Sequence, residues 1–235
     1  MSVLTAVTTR DAWNEPDGIA PRGTLIVLTG RGETAASYAR FGRRLAADAY
    51  RVRIVETAAR ARVEELLGDD SLPAPRVLVG SDSGAVLAAH LAHEHAGVDA
   101  VVLAGLPSPS AHRIDSWEAE LDARTACPAH RRVLTDDAGF ERGALGNGTD
   151  LSPVRPPAVP TLVLHGSADP LTASEDAFAP FHTSPTARVA LVVGARHDVL
   201  NDVSHRSVAA TIVLFLESLR LDSVLPPIVR TADAR

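Results

Sequence analysis

The chain has 235 residues with 46% hydrophobic content, enough for one α/β domain with a continuous core. Its formal charge of −6 and scattered basic residues argue against a nucleic-acid or anionic-membrane surface and favour a small, uncharged or weakly charged substrate. All 23 basic residues are arginine, which excludes lysine Schiff-base, P-loop-lysine and lysine-base chemistry, and the single cysteine, Cys127, excludes an intrachain disulfide or a cysteine-built zinc site.

The segment Met1 to Asp17 lacks a basic stretch followed by an apolar core, and no window approaches about 18 continuous apolar residues, so a cytoplasmic protein without a membrane span is expected. From Thr24 to Leu221, apolar β-rich runs alternate with Ala/Leu/Arg segments of helical spacing, the pattern of a mostly parallel sheet wrapped by helices on both faces. Strands are expected at Leu25–Thr29, Arg51–Val55, Val77–Gly80, Ala100–Leu103, Thr161–Leu164 and Arg188–Val193. Helices are expected at Thr34–Ala47, Ala59–Leu67, Ser83–His95, Ala173–Phe181 and Val203–Arg220. Val3–Thr8 and Gly18–Ala20 are candidates for an edge strand. The alternation lapses between Pro107 and Pro160, which predicts one domain made of a core at 1–106, a lid insertion at 107–158 and the rest of the core at 159–235. Short helices are expected in the lid at Asp115–Arg124 and Ala129–Leu134. The tail after Arg220 reads equally well as an ordered strap or a frayed end.

The chemistry concentrates at Gly80-Ser81-Asp82-Ser83-Gly84, between an expected strand and an expected helix. Glycines flank Asp82 at the spacing of a nucleophile elbow, a turn that exposes its central side chain above a sheet, but an aspartate stands where serine is usual. Taken alone, Asp82 also suits a helix N-cap. Asp169 suits a cap after Pro170, and His197 a loop position. A shift of the nucleophile to Ser81 or Ser83 does not fit the glycine spacing. His90, His93 and His95 lack an acidic partner set and the spacing of a metal site, so no metal is expected.

Four segments in chain order resemble the α/β-hydrolase superfamily over nearly the whole chain. Leu25-Ile26-Val27-Leu28-Thr29-Gly30-Arg31-Gly32-Glu33 resembles the strand and oxyanion loop, and with Tyr38 and Arg43-Arg44-Leu45 is most similar to the monoacylglycerol-lipase and serine-aminopeptidase branch. The elbow at Asp82 follows. His165-Gly166-Ser167-Ala168-Asp169-Pro170 is similar to the strand end carrying the triad acid, and Gly194-Ala195-Arg196-His197-Asp198 to the loop carrying the catalytic histidine. The resemblance thus implies Asp82, His197 and Asp169 as the catalytic set, with backbone N–H groups of Arg31 and Ser83 as oxyanion donors.

Aspartate nucleophiles in this superfamily are typical of epoxide hydrolases and of haloalkane or fluoroacetate dehalogenases, but this chain departs from both patterns. Its tyrosines, Tyr38 and Tyr50, lie outside the lid, and Ser83 stands where a halide-holding tryptophan is common. Substrate contacts are therefore sought in Gly30, Glu33, Trp117 and Arg124, with His112, Arg113 and His130 as further donors. Glu33 reads less as a contact than as a cap on the helix beginning near Thr34, at the favoured end of its dipole. Three functions stay open: a cofactor-independent hydrolase with an Asp82 covalent ester; an ester or thioester hydrolase, or a lyase or cyclase using Asp82 as a base; and an inactive ligand-binding protein.

Overall fold

The computed structural model describes residues 11–107, 114–147 and 154–229. Seven strands form one sheet in the order β1-β3-β2-β4-β5-β6-β7, where β1 is Ala12–Trp13, β2 Gly23–Leu28, β3 Tyr50–Val55, β4 Arg76–Ser81, β5 Ala100–Ala104, β6 Thr161–Gly166 and β7 Ala187–Val192. The short β1 runs antiparallel to β3 and every other pairing is parallel. Six strands lie within a residue or two of their expected bounds. The edge strand is Ala12–Trp13 rather than Gly18–Ala20, because Gly18 turns the chain at φ 78° and only residues 12 and 13 reach Val52 and Arg53. Val3–Thr8 lies outside the described residues.

The helices are α1 Ala39–Ala47, α2 Arg60–Leu67, α3 Ser83–Glu94, α4 Trp117–Arg124, α5 Pro128–Asp136, α6 Ser174–Phe178 and α7 His205–Leu221. The expected helix at Thr34–Ala47 begins as a 3₁₀ turn over Ala35–Tyr38, because Thr34 caps Ala36 with its side chain and fixes a tighter first turn. Pro180 likewise divides the expected Ala173–Phe181 helix into α6 and a 3₁₀ turn.

Alternate residues of the central strands face two cores. Leu25, Val27, Val77 and Val79 pack beneath α1 and α7, whereas Ile26, Leu28 and Leu78 pack with residues of α2, α3 and α6. Leu225 joins the first core, so the tail is a strap as far as that residue. Trp117, Leu121, Leu134 and Phe140 form a smaller cluster of their own between β5 and β6. Because the central strands are parallel, their carboxyl ends gather the loops that follow β2, β4, β6 and β7 on one edge of the sheet, the usual place for a site in such folds. Among the described residues, no helix is long and apolar enough to cross a membrane.

Candidate active site

Asp82 follows the last residue of β4 and precedes the first of α3, at φ 52° and ψ −121°. An aspartate rarely adopts that backbone, and the glycines around it explain how the turn forms. A Cβ on Gly80 would strike Gly84 and Ala85, and one on Gly84 would strike the carbonyls of Leu28 and Thr29, so only glycine lets α3 start directly against β2. The cost of such a backbone is about 1–3 kcal/mol, which makes the conformation informative about use.

Asp169 and His197 converge on Asp82. His197 Nε2 lies 3.1 Å from Asp82 Oδ1, and its Nδ1 lies 2.8 Å from Asp169 Oδ2. Asp169 does not cap α6, whose N-cap is Ala173; it accepts from the Leu171 amide at 2.8 Å in the turn before that helix. Gly105, at φ 56°, leaves room for the His197 carbonyl where any Cβ would collide. The histidine loop is held to α4 by Ala123 O, which accepts from His197 N–H at 3.3 Å, and by Arg124 O, which accepts from Asp198 N–H at 2.8 Å. Asp202 adds a second tie: its carboxylate accepts from the Arg196, Ala126, Cys127 and Val203 amides and the Thr125 hydroxyl.

Two features were beyond the reach of sequence reasoning. Arg31, expected to act through its backbone, also folds its side chain onto Asp82. Nε donates to Oδ2 and Nη2 to Oδ1, both at 2.8 Å, while the Arg31 amide donates to Oδ2 at 2.9 Å. Its Nη1 donates to the carbonyls of Leu145 and Asn147 at 3.1 and 3.0 Å. Second, His165 Nε2 sits 3.1 Å from Asp169 Oδ2 and 2.9 Å from the Thr172 carbonyl, so Asp169 lies between two imidazoles. The pattern His165-x-x-x-Asp169 was visible in the sequence, but nothing there signals which way the ring points.

These contacts set the charges. Burial penalises the Asp82 carboxylate, but His197 and Arg31 outweigh it and hold its pKa far below the usual range. Asp169 is likewise held low against burial, by His197 and His165. Burial disfavours the His197 imidazolium, yet Asp169 and Asp82 on either side raise its pKa to about 10. The resting site is therefore a neutral quartet of two carboxylates, one imidazolium and one guanidinium.

The other candidates lie elsewhere. Ser83 opens α3, so its amide is among those at the helix N-terminus without an intrahelical acceptor. Gly30 presses on the elbow: a Cβ there would come 3.2 Å from Asp82 Cβ and 2.7 Å from Glu33 Oε2. Glu33 is buried and does not cap; its Oε2 accepts from Gly30 N–H at 3.0 Å and from the Tyr38 hydroxyl, so it supports the oxyanion loop from below. Trp117 packs on Phe140, with ring centroids 5.3 Å apart, rather than against Asp82. Arg124 is wholly buried, donates to Glu120 Oε1 at 2.9 Å and to the Arg31 carbonyl at 2.7 Å, and stacks on Phe140. His130 faces Asp198 at 3.3 Å, while His112 and Arg113 fall outside the described residues. Glu33, His130 and Asp198 bring potential ligand atoms within 4.8 Å of one another. Arg124 Nη1, however, stands 3.8 Å from Glu33 and 3.6 Å from Asp198, supplying the positive charge there itself. A cavity of about 600 Å³ is lined by Ala123, Ala168, Leu171 and Arg196 among others, some of them chain neighbours of Asp169 and His197, but not by Asp82, Asp169, His197 or Arg31 themselves.

No protein-family model matches the sequence, and no curated protein matches it. Solved structures do. A soluble variant of monoglyceride lipase from Saccharomyces cerevisiae, in complex with a substrate analog, aligns at 14% identity and TM-score 0.69 over 88% of this chain and 90% of that one. A monoacylglycerol lipase from Paleococcus ferrophilus aligns at 14% and 0.67 over 88% and 97%. An enol-lactonase from Burkholderia xenovorans aligns at 19% and 0.65 over 88% and 95%. The likeness spans nearly the whole of each chain and establishes an α/β-hydrolase fold.

Proposed function

Starting from this fold, we propose that the protein is a hydrolase that attacks an sp³ carbon of a small substrate with Asp82, forming a covalent ester that water then cleaves. The observation that carries this reading is the placement of Asp82 at a strained elbow with its Oδ1 3.1 Å from a histidine whose other nitrogen is held by Asp169. The hydrolytic character of the structural neighbours, by their names, agrees with it.

In the first step a carboxylate oxygen bonds to carbon and the leaving group departs with the electron pair. Asp82 then no longer carries charge. One of the two carboxylates holding His197 as an imidazolium is gone, so its pKa falls, its proton passes to the departed group, and the imidazole becomes available as a base. In the second step His197 takes a proton from water, and the hydroxide adds to the Asp82 carboxyl carbon. The Arg31 amide, already aimed at Oδ2, and the Ser83 amide stabilise the tetrahedral oxyanion, each by a factor of roughly 10²–10³. Collapse expels the product alkoxide, which His197 reprotonates, and the acid left on Asp82 returns its proton to His197. Substrate and water become alcohol and the protonated leaving group.

The same contacts weigh against Asp82 as a general base, since a carboxylate whose pKa lies far below neutral has little affinity for a proton. Turnover in ¹⁸O-labelled water tests the proposal across epoxides, haloalkanes, esters and thioesters. One label should enter the Asp82 carboxylate, and His197→Ala should accumulate an alkyl ester seen by mass spectrometry. A substrate turned over with neither label nor adduct sinks the covalent reading.

A further inference from the structure

We propose that Arg31 is the receptor for a carboxylate on the substrate, which takes over from Asp82 the guanidinium N–H groups that hold it. This rests on Asp82 being the reacting group, and it narrows the expected substrate from uncharged or weakly charged to a small monocarboxylate with an electrophilic carbon.

A carboxylate has about four acceptor positions. In the resting site all four on Asp82 are used: Oδ1 by His197 Nε2 and Arg31 Nη2, Oδ2 by the Arg31 amide and Nε. Neither oxygen has a lone pair free to attack carbon. The backbone amide is fixed and His197 is needed for the second step, so the bonds that must yield are those of the Arg31 side chain. That side chain is also the exposed partner: it is 14% accessible, against 1% for Asp82. Among the described residues, the guanidinium therefore stands between the nucleophile and solvent.

Withdrawing Arg31 for a neutral substrate strands a largely buried guanidinium beside the site. A substrate carboxylate offers it the same two-oxygen fork that Asp82 offered, so one ion pair is exchanged for another. Charge balance points the same way. The resting quartet is neutral, and ester formation removes the Asp82 charge. Until His197 gives up its proton, Arg31, His197 and Asp169 then sum to one positive charge, which a substrate carboxylate balances and a neutral substrate leaves in place. Arg31 stays tied through Nη1 to the Leu145 and Asn147 carbonyls, so the fork is released without loss of its anchor to the lid segment.

The test measures binding without turnover, so that it stands or falls separately from the covalent mechanism. Propionate and its neutral isostere propionamide are titrated by calorimetry into the wild type, Asp82→Asn, and the Asp82→Asn/Arg31→Met and Asp82→Asn/Arg31→Lys double variants, each checked for a cooperative melt. Asparagine cannot pair with the guanidinium as a carboxylate does, so Asp82→Asn should bind propionate at least 10-fold more tightly than the wild type, with propionamide unchanged. Arg31→Met should abolish the gain. Arg31→Lys keeps the charge but loses the fork; it should lose most of the gain, and it serves in place of methionine if that variant does not fold. Equal propionate affinity in the wild type and Asp82→Asn, or a gain that survives loss of Arg31, overturns the proposal. Label incorporation into Asp82 would still decide the covalent step.

Discussion

Replacing Glu33 by glutamine should stabilise the protein increasingly as pH rises from 5 to 8. Glu33 is buried under the oxyanion loop; burial and the nearby Asp198 raise its pKa to about 8, although Arg124, Tyr38 and the Gly30 amide favour the charged form. Because the folded-state pKa lies above the ordinary value near 4.5, the native state binds a proton that the unfolded chain releases between those two pH values. The contribution is thus complete below about pH 4.5 and is lost as pH climbs through about 8. Its limiting slope is about 1.4 kcal/mol per pH unit, or roughly 3 kcal/mol between pH 5 and 7. Glutamine retains an acceptor for the Gly30 amide and the Tyr38 hydroxyl and has nothing to titrate. Urea unfolding of both proteins at pH 5, 6, 7 and 8 gives the difference in stability, from which groups common to both cancel. The difference should grow in favour of Glu33→Gln across that range. A difference independent of pH would show that Glu33 is already ionised in the folded state, and the reasoning from burial would be wrong.

Histidine NMR should find His197 protonated at pH 7, titrating near pH 10, with Asp82→Asn lowering that midpoint because one flanking carboxylate is removed. With a turned-over substrate, His165→Phe should slow ester hydrolysis about 10- to 100-fold while leaving KM unchanged. That is the effect of losing a hydrogen bond to a charged group worth about 1.5–3 kcal/mol. Asp202→Ala strands donors from both the lid and the histidine loop and should cost about 3–5 kcal/mol in unfolding experiments. Gly105→Ala drives a Cβ into the His197 carbonyl at a positive φ and should cost about 2–4 kcal/mol, read as a lower melting temperature.

The sheet was legible because each central strand is a short apolar run closed by glycine or a polar turn, and parallel strands buried on both faces read that way. The elbow was legible for a steric reason: two glycines at fixed offsets are what that turn needs, whichever residue lies between them. Asp169 and His197 were found through local motifs at strand ends. Arg31 was only half found. Its place in the oxyanion loop is a local property, but the direction of its side chain depends on Asp82, 51 positions away, and on the carbonyls of Leu145 and Asn147. Glu33 and Arg124 were assigned to substrate because a charged residue near a site invites that reading. Their nearby partners Tyr38 and Glu120 lie within a short window, but the burial of both also depends on Asp198, far along the chain, and on packing that no window of sequence contains.

The ties through Asp202, Ala123 and Arg124 affect how the molecule breathes. Loops over an active site usually exchange their amide hydrogens quickly, through small local openings. Here the amides of Ala126, Cys127, His197 and Asp198 end on acceptors across the junction between α4, α5 and the histidine loop, and those of Arg196 and Val203 end on the Asp202 carboxylate that joins the two sides. Opening either side releases donors on the other, so the two should come apart as one cooperative unit. Deuterium uptake at this rim would then resemble that of the central strands, and access to the site would depend on the movement of one arginine side chain while the backbone around it stays shut.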